Sequence, residues 1–530
     1  MSTIIVKQES IDGGISPTYF GDTKRNQYRI GLGIDPDITM ISGVSTSAYK
    51  MSNCVMPVGY TKFSSTEIDS YPIWIGAPSV PGGTEYVYMV LANGKLVRYS
   101  STLGSASSIG TVAGSNAAGA AIYNDYIYIT GTGASKNDVS RYGPLSAGPA
   151  LTDGVWTGAT LGTQTALTNN TYPTINGAPI PQHWMHAHPG DGQLYFLDFK
   201  NNQGMVHVIN TTSAGVNNNS AYNVLDLPFG YYPVAITNFG TNIAITAFRT
   251  SGTTLRQGNA ALFLWDTISE TFYQEVSLPD VFATALLNVN GRLYVFTGSA
   301  TACRVSVFEG GNTVTQVMFF DDGISVLPGA VTSYGDRIYF GARTAYAGDN
   351  FYGTVLSLGS KQNEVQQSFH CPVKISAAAN SSLVCTAIQM VQQASGEVPR
   401  IVAGWGNGSA YGADKFGYDF TGNSAFFRTD IFEIGKRFKV KSIKFNATYT
   451  LAAGVREPIV YVLTDNETAS TALNGKFGGS AIVYKRPEVQ IIGNKNICIE
   501  FQFLGNAPYG IQLPIEIELE VFDDQPLVSD

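Results

Sequence analysis

The chain has 530 residues, of which 14% are charged and 12% aromatic, with 57 glycines; this balance suits many short strands joined by tight turns rather than helices with charged outer faces. A net charge of −8 without a long Lys/Arg block excludes the basic footprint of a protein that wraps nucleic acid, and 29 Tyr with 28 Phe give too much burial surface for a disordered chain. Five widely spaced cysteines (Cys54, Cys303, Cys371, Cys385, Cys498) contain no C-x-x-C pair, so neither a disulfide framework nor a zinc knuckle is expected.

The opening "MSTIIVKQESIDGG" lacks a basic region followed by an apolar core, and no apolar run is long enough to span a bilayer. The expectation is a chain made without a signal peptide in a cytosol, with no membrane insertion. Residues 1–55 are rich in Gly, Ser and Asp with scattered aromatics, and read as an extended N-terminal arm that closes a ring or lies on a neighbouring subunit.

Over residues 56–410 a repeat emerges. "AAIYNDYIYIT" (120–130), "HAHPGDGQLYFL" (186–197), "LLNVNGRLYVF" (286–296) and "VTSYGDRIYFG" (331–341) share one plan: a short apolar run, a turn on Asn, Asp or Gly, then an aromatic strand. Weaker copies lie at 83–90, 236–246 and 377–387. Their central residues, Tyr88, Tyr128, Tyr195, Ala244, Tyr294, Tyr339 and Val384, are separated by 40, 67, 49, 50, 45 and 45 positions. A four-stranded propeller blade takes roughly 40–50 residues, and radial closure lets many small sheets bury both faces. The spacing therefore predicts a β-propeller of seven blades, with six as the alternative. The 67-residue interval carries a loop insertion, 143–181.

Hairpins such as "ALFLWDTISETFYQEVSLP" (261–279) and "CRVSVFEGGNTVTQVMFF" (303–320) read as the outer two strands of a blade, and Asn93-Gly94 as a tight hairpin turn. The first of these resembles the third and fourth strands of a kelch-type blade, but the paired glycines of that family are missing from "YVFTGS" and "YFGAR". Past about 410 the period stops, and five segments from "RFKVKSIKFNATYTL" to "PIEIELEVFDD" alternate apolar and polar residues. Residues 411–530 are expected to form a small antiparallel β-sandwich, making the whole chain all-β.

Candidate chemistry is thin. His183, His186 and His188 cluster beside Asp191 on what reads as the first strand of a blade, where His186 and His188 share a face at spacing two. They are the metal candidates, weighed against imidazoles simply bonded to neighbouring blades or water; a third ligand is wanting because His183 points the other way unless the strand begins later, and Asp191 lies in the turn. No G-x-S-x-G, H-E-x-x-H or G-x-x-x-x-G-K-[ST] motif occurs, and the adjacent carboxylates Asp321-Asp322 and Asp523-Asp524 point to opposite sides of a strand. No catalytic residue and no cofactor is expected. Aromatic loops around Trp156 and around Trp405 and Tyr411 are candidates for stacking on sugars.

The order of the parts resembles virion proteins of tailed bacteriophages: a glycine-rich arm ("GGISPTYFGDTKRNQYRIGLGIDPD"), a propeller, then a sandwich opening on "RTDIFEIGKRFKVK". Thr429, Phe432, Gly435, Phe438, Lys439 and Lys441, then Leu451, Gly454 and Asp465, carry the likeness. It implies a non-enzymatic structural component of the tail or neck (ring, nozzle, baseplate or fibre attachment), made in the host cytoplasm and located in the virion. Its partners would be other virion proteins and copies of itself in a symmetric ring, with no direct nucleic-acid contact. The alternative is an extracellular propeller that binds or hydrolyses glycans for receptor recognition, with a host surface glycan as partner. A metal-dependent enzyme built on the three histidines is the third reading.

Overall fold

The structure is a computed structural model that describes residues 1–10, 14–15, 27–32, 40–41, 44–45, 54–55, 59–63, 66–79, 86–100, 106–112, 116–132, 138–155, 174–175, 178–179, 183–209, 223–250, 258–299, 302–320, 326–335, 337–342, 354–359, 369–375, 382–391, 399–417, 424–447, 458–465, 469–473, 482–504 and 510–522. Within them the only regular elements are strands, and seven four-stranded antiparallel sheets follow one another along the chain. The first six blades begin at Pro72, Asn116, Met185, Tyr231, Phe282 and Val331 and run through four consecutive strands each. In the seventh, Val384–Val391, Arg400–Gly406 and Tyr411–Gly417 are completed by Gly59–Phe63 from the other end of the propeller sequence. The first strand of every blade lies against the first strands of both neighbours, so the ring is closed.

One device recurs where the first strands crowd the axis. Between the first and second strands the register slips at Pro72/Trp74, Ala117/Gly119, Pro233/Ala235, Ala283/Ala285 and Cys385/Ala387. Each slip leaves one unpaired residue: Ile73, Ala118, Val234, Thr284 and Thr386, all at most 3% exposed. A bulge bends its strand and increases its twist, which turns the strand away from the axis at the level where seven would otherwise collide. Counting back from the residue that faces the second-strand aromatic, the equivalent positions in the third and sixth blades are His183 and Gly329. Gly329 lies so close to the backbone oxygen of Ile73 that a Cβ there would sit 2.2 Å from it, and 3.2 Å from Cη2 of Trp184 three blades away. The Trp184 indole therefore reaches across the axis to the sixth blade.

The sandwich has two sheets. One is ordered Ser2–Gln8, Ile511–Val521, Phe438–Ala447, Ile482–Lys485; the other Gly14–Ile15, Gln27–Leu32, Ser424–Thr429, Asn496–Leu504, Ile459–Thr464, Ala469–Leu473. Phe445 of the first meets Phe501 of the second edge-on at 5.1 Å, an arrangement favoured by the ring quadrupole. In "FKVKSIKF" the buried residues switch from Phe438 and Val440 to Ile443 and Phe445, because a bulge at Lys441 flips the alternation. The residues of the virion-protein likeness have structural work here. The Thr429 hydroxyl accepts the Ile499 N–H at 3.0 Å, and Gly435 turns the chain at φ 66°.

Pairing across the chain corrects three boundaries. Where the sequence suggested an extended arm closing a ring or lying on a neighbouring subunit, the described strands of residues 1–55 join the sandwich of the same chain: Ser2–Gln8 pairs residue for residue with Ile511–Val521, and Gln27–Leu32 pairs with Ser424–Thr429. The sandwich does not begin at 411, since Tyr411–Gly417 is the third strand of the last blade. The insertion at 143–181 starts later than expected, because Ala150–Thr152 is the fourth strand of the second blade. The last repeat is also shifted: Val384 opens a first strand, and Val402 holds the place that Tyr195 and Tyr294 hold in theirs.

Gly119 packs closely against the third blade: a Cβ there would lie 2.5 Å from the His183 carbonyl oxygen and 3.0 Å from Trp184 Cα, both backbone atoms. Gly119→Ala should lower the unfolding free energy by about 1–3 kcal/mol. Thr130→Val, which removes the hydroxyl bonded to the carbonyls of Gly119 and His183 at 3.1 Å, should lower it by about 1 kcal/mol. Urea unfolding with an unchanged slope and a shifted midpoint is the readout.

Candidate functional site

The polar side chains best suited to chemistry gather in the third blade, Met185–His188, Gln193–Lys200, Gln203–Ile209 and Leu225–Phe229. They form two separate clusters, one at each end of its first strand.

At the axial end His183 precedes the strand in the bulge position. Its φ is 40°, its ring is buried, and its carbonyl is held by Thr130 of the second blade. Its Nδ1 faces two acceptors, the Leu197 carbonyl at 3.0 Å and Asp198 Oδ1 at 3.2 Å, so Nδ1 carries the proton. Asp198 Oδ2 accepts from His207 Nε2 at 3.1 Å, and His207 Nδ1 accepts the Asn223 N–H at 2.9 Å. The chain Asn223–His207–Asp198–His183 thus ties the second and third strands to the residues that lead into the fourth and first. Burial pushes the His183 imidazole below its ordinary value, against the pull of Asp198 and the Leu197 carbonyl, which keeps it neutral. Other blades make local versions of this brace. Thr297 bonds Asp280 at 2.6 Å in the fifth, and Trp405 Nε1 bonds Asp414 at 3.1 Å in the seventh.

At the hairpin end His188 Nδ1 lies 3.0 Å from Asp191 Oδ1, and Asp191 also accepts the Gln193 N–H at 3.0 Å and the Tyr195 hydroxyl at 2.6 Å. Burial alone would raise the Asp191 carboxyl, but these bonds, that of Tyr195 foremost, hold it below its usual value. His186 lies opposite Tyr195 in the register, with its ring 6.3 Å from that of His188. Burial, reinforced by the neighbouring His188, pushes the His186 imidazole down to about 4. The Nε2 atoms of His186 and His188 are both buried without a hydrogen-bond partner.

The three sequence candidates are therefore not one site. The strand begins at Met185, so His183 lies outside it and turns to Asp198, while His186 and His188 share the face toward the fourth blade. Among the described residues no group of three or more His, Cys, Asp or Glu is placed to hold a metal ion. Sequence reasoning missed Asp198 and His207; the signal was an acid inside the otherwise apolar run "LYFLDF". Of the candidate sugar-stacking aromatics, Trp405 is 1% exposed and packs in the core. Tyr411 packs edge-on against Tyr71 at 4.9 Å with its hydroxyl on the Gly408 carbonyl. Trp156 lies outside the described residues, as do Asp321-Asp322, Asp523-Asp524, Leu451 and Gly454.

No family model and no curated protein sequence matches the chain. Solved structures that align with it include the computationally designed Ika8 protein (11% identity, 72% of this chain and 98% of that one, TM-score 0.38). The Cps50 (Swd1) β-propeller domain of Myceliophteria thermophila aligns at 10% identity over 67% and 99%, with TM-score 0.40. YCF48 bound to D1 peptide aligns at 9% identity over 69% and 97%, with TM-score 0.41.

Because His183 and His186 titrate below the ordinary histidine value in the fold, the unfolded chain takes up protons first as the pH falls. Stability is then fully present above about pH 6.5 and declines toward pH 4, with His186 alone accounting for on the order of 2–3 kcal/mol. Chemical denaturation at a series of pH values should show this slope, and His186→Gln should flatten part of it. At pH 7.5, Asp198→Ala should cost about 3 kcal/mol by stranding two buried ring N–H donors.

Proposed function

We propose that this chain is a non-enzymatic structural component of a tailed-phage virion, acting in the tail or neck as a rigid docking module among copies of itself and other virion proteins. The observation that carries the reading is the double closure of one chain. Gly59–Phe63 completes the last blade, and Ser2–Gln8 lies along Ile511–Val521, so both flanks of the propeller are fastened into the sandwich. A part assembled inside a cell and then exposed outside it gains from such fastening, since no blade can open without breaking sheet pairing. The order of glycine-rich segment, propeller and sandwich supports the same reading. So does the placement of its His and Asp side chains, which the third blade uses to brace its own strands.

Quantitative mass spectrometry of purified particles from the source culture tests this. A fixed low multiple, on the order of six to twelve copies per particle, is expected for a part of a symmetric ring. Absence from particles would refute it, and saturable binding of the purified chain to cell-surface polysaccharide would then favour the glycan-binding alternative.

A further inference from the structure

The hairpin-end histidines go beyond this reading. His186 and His188 stand two residues apart on a strand, so both project to one face, toward the fourth blade, where Tyr195 packs against Trp265. The Nδ1 of His188 meets the Asp191 carboxylate, and that carboxylate is fixed by the Tyr195 hydroxyl and the Gln193 N–H. With its proton on Nδ1, His188 must present a bare lone pair at Nε2, and this atom is buried with no donor to meet it. A carboxylate behind an imidazole is the usual support of a metal-binding histidine, setting its tautomer and raising its basicity. His186 Nε2 is likewise buried and unpartnered beside it.

The geometry points to a two-imidazole site formed by His186 and His188 for a cuprous ion. Metal–nitrogen bonds near 2.0 Å would place two rings sharing an ion with centroids up to about 6.3 Å apart when the bonds are nearly collinear. The observed separation is 6.3 Å. No third His, Cys, Asp or Glu joins the pair among the described residues, and a filled d-shell ion that accepts two nearly collinear ligands fits that donor set better than tetrahedral zinc. His183 is excluded, since its ring is turned to Asp198. Bound there, the ion would fix two side chains of the innermost strand and, through the Asp191 carboxylate on His188, the turn that follows it.

The test uses the tag-free full-length chain, titrated anaerobically with Cu+ against a chromophoric chelator and separately with Zn2+. One equivalent of Cu+ per chain is expected, with affinity falling at least tenfold in His186→Gln and in His188→Gln, and by 10–100-fold in Asp191→Asn. Equal retention by the wild type and the His186→Gln/His188→Gln double variant would overturn the site, and preference for Zn2+ would overturn the two-coordinate assignment. X-ray absorption at the copper edge of the wild type reads the ligands without any variant having to fold: two nitrogen scatterers support the pair, and sulfur scatterers refute it. Neither readout depends on whether the protein is found in particles.

Discussion

The unpaired edge of a small sheet is the constraint around which this chain is built. A four-stranded sheet has two edges and two apolar faces, and none of the seven can protect itself alone. Arranging them radially buries the faces against each other and leaves only short rims, but the ring still has a seam. Here the seam is closed by hydrogen bonding: Gly59–Phe63 supplies the outer strand of a sheet whose other three strands lie between residues 384 and 417. A second seam, between the ends of the chain, is closed the same way in the sandwich. The entropy of closing such long loops rises only with the logarithm of their length, about 5–6 kcal/mol for the loop between Ser2 and its partner Val521. Seven register pairs with Ile4, Val6 and Gln8 turned inward can outweigh that.

Radial closure creates a problem of its own at the axis, where seven first strands converge. The repeated bulge is the answer in most blades, and the residue left unpaired there is small or aliphatic in all but one. His183 is the exception. A bulky residue in that place at positive φ carries strain, which persists only where its surroundings over-determine it. The surroundings are Thr130 on its carbonyl, Gly119 beneath it, and Asp198 and Leu197 on its ring. The buried aspartate would itself be costly without partners, and two imidazoles together with the Phe199 N–H at 2.8 Å supply them. Strain at one residue and desolvation at another are thus offset within one network.

Much of the propeller was legible in the sequence because its signal is local. An aromatic second strand after an Asn, Asp or Gly turn repeats on blade spacing, and Tyr88, Tyr128, Tyr195, Ala244, Tyr294 and Tyr339 all fall on second strands. The last copy slipped because Val384 and Cys385 imitate that pattern inside a first strand. What the sequence could not show is pairing between distant segments. "STIIVKQ" has the alternation of an edge strand, yet nothing within a hundred residues announces Ile511–Val521 as its partner. For this reason the N-terminal strand could not be assigned to the sandwich. The histidine cluster was visible as composition but not as geometry, since the first strand begins only at Met185 and leaves His183 outside it at φ 40°, turned to a different network from His186 and His188.

That separation also orders the two clusters by what they leave unmet. In the axial cluster Asp198 has two imidazole donors, and His207 is engaged at both ring nitrogens. In the hairpin cluster the acceptors are satisfied on the Asp191 side, while the Nε2 atoms of His186 and His188 are buried without a partner. Buried acceptors left in this condition cost about 1–3 kcal/mol each. The axial cluster uses the Asp198 carboxylate to hold two imidazoles and leaves only His183 Nε2 unmet, whereas the hairpin cluster leaves a ring nitrogen unmet on both of its histidines: the first holds the blade together, and the second has capacity left for something the chain itself does not provide.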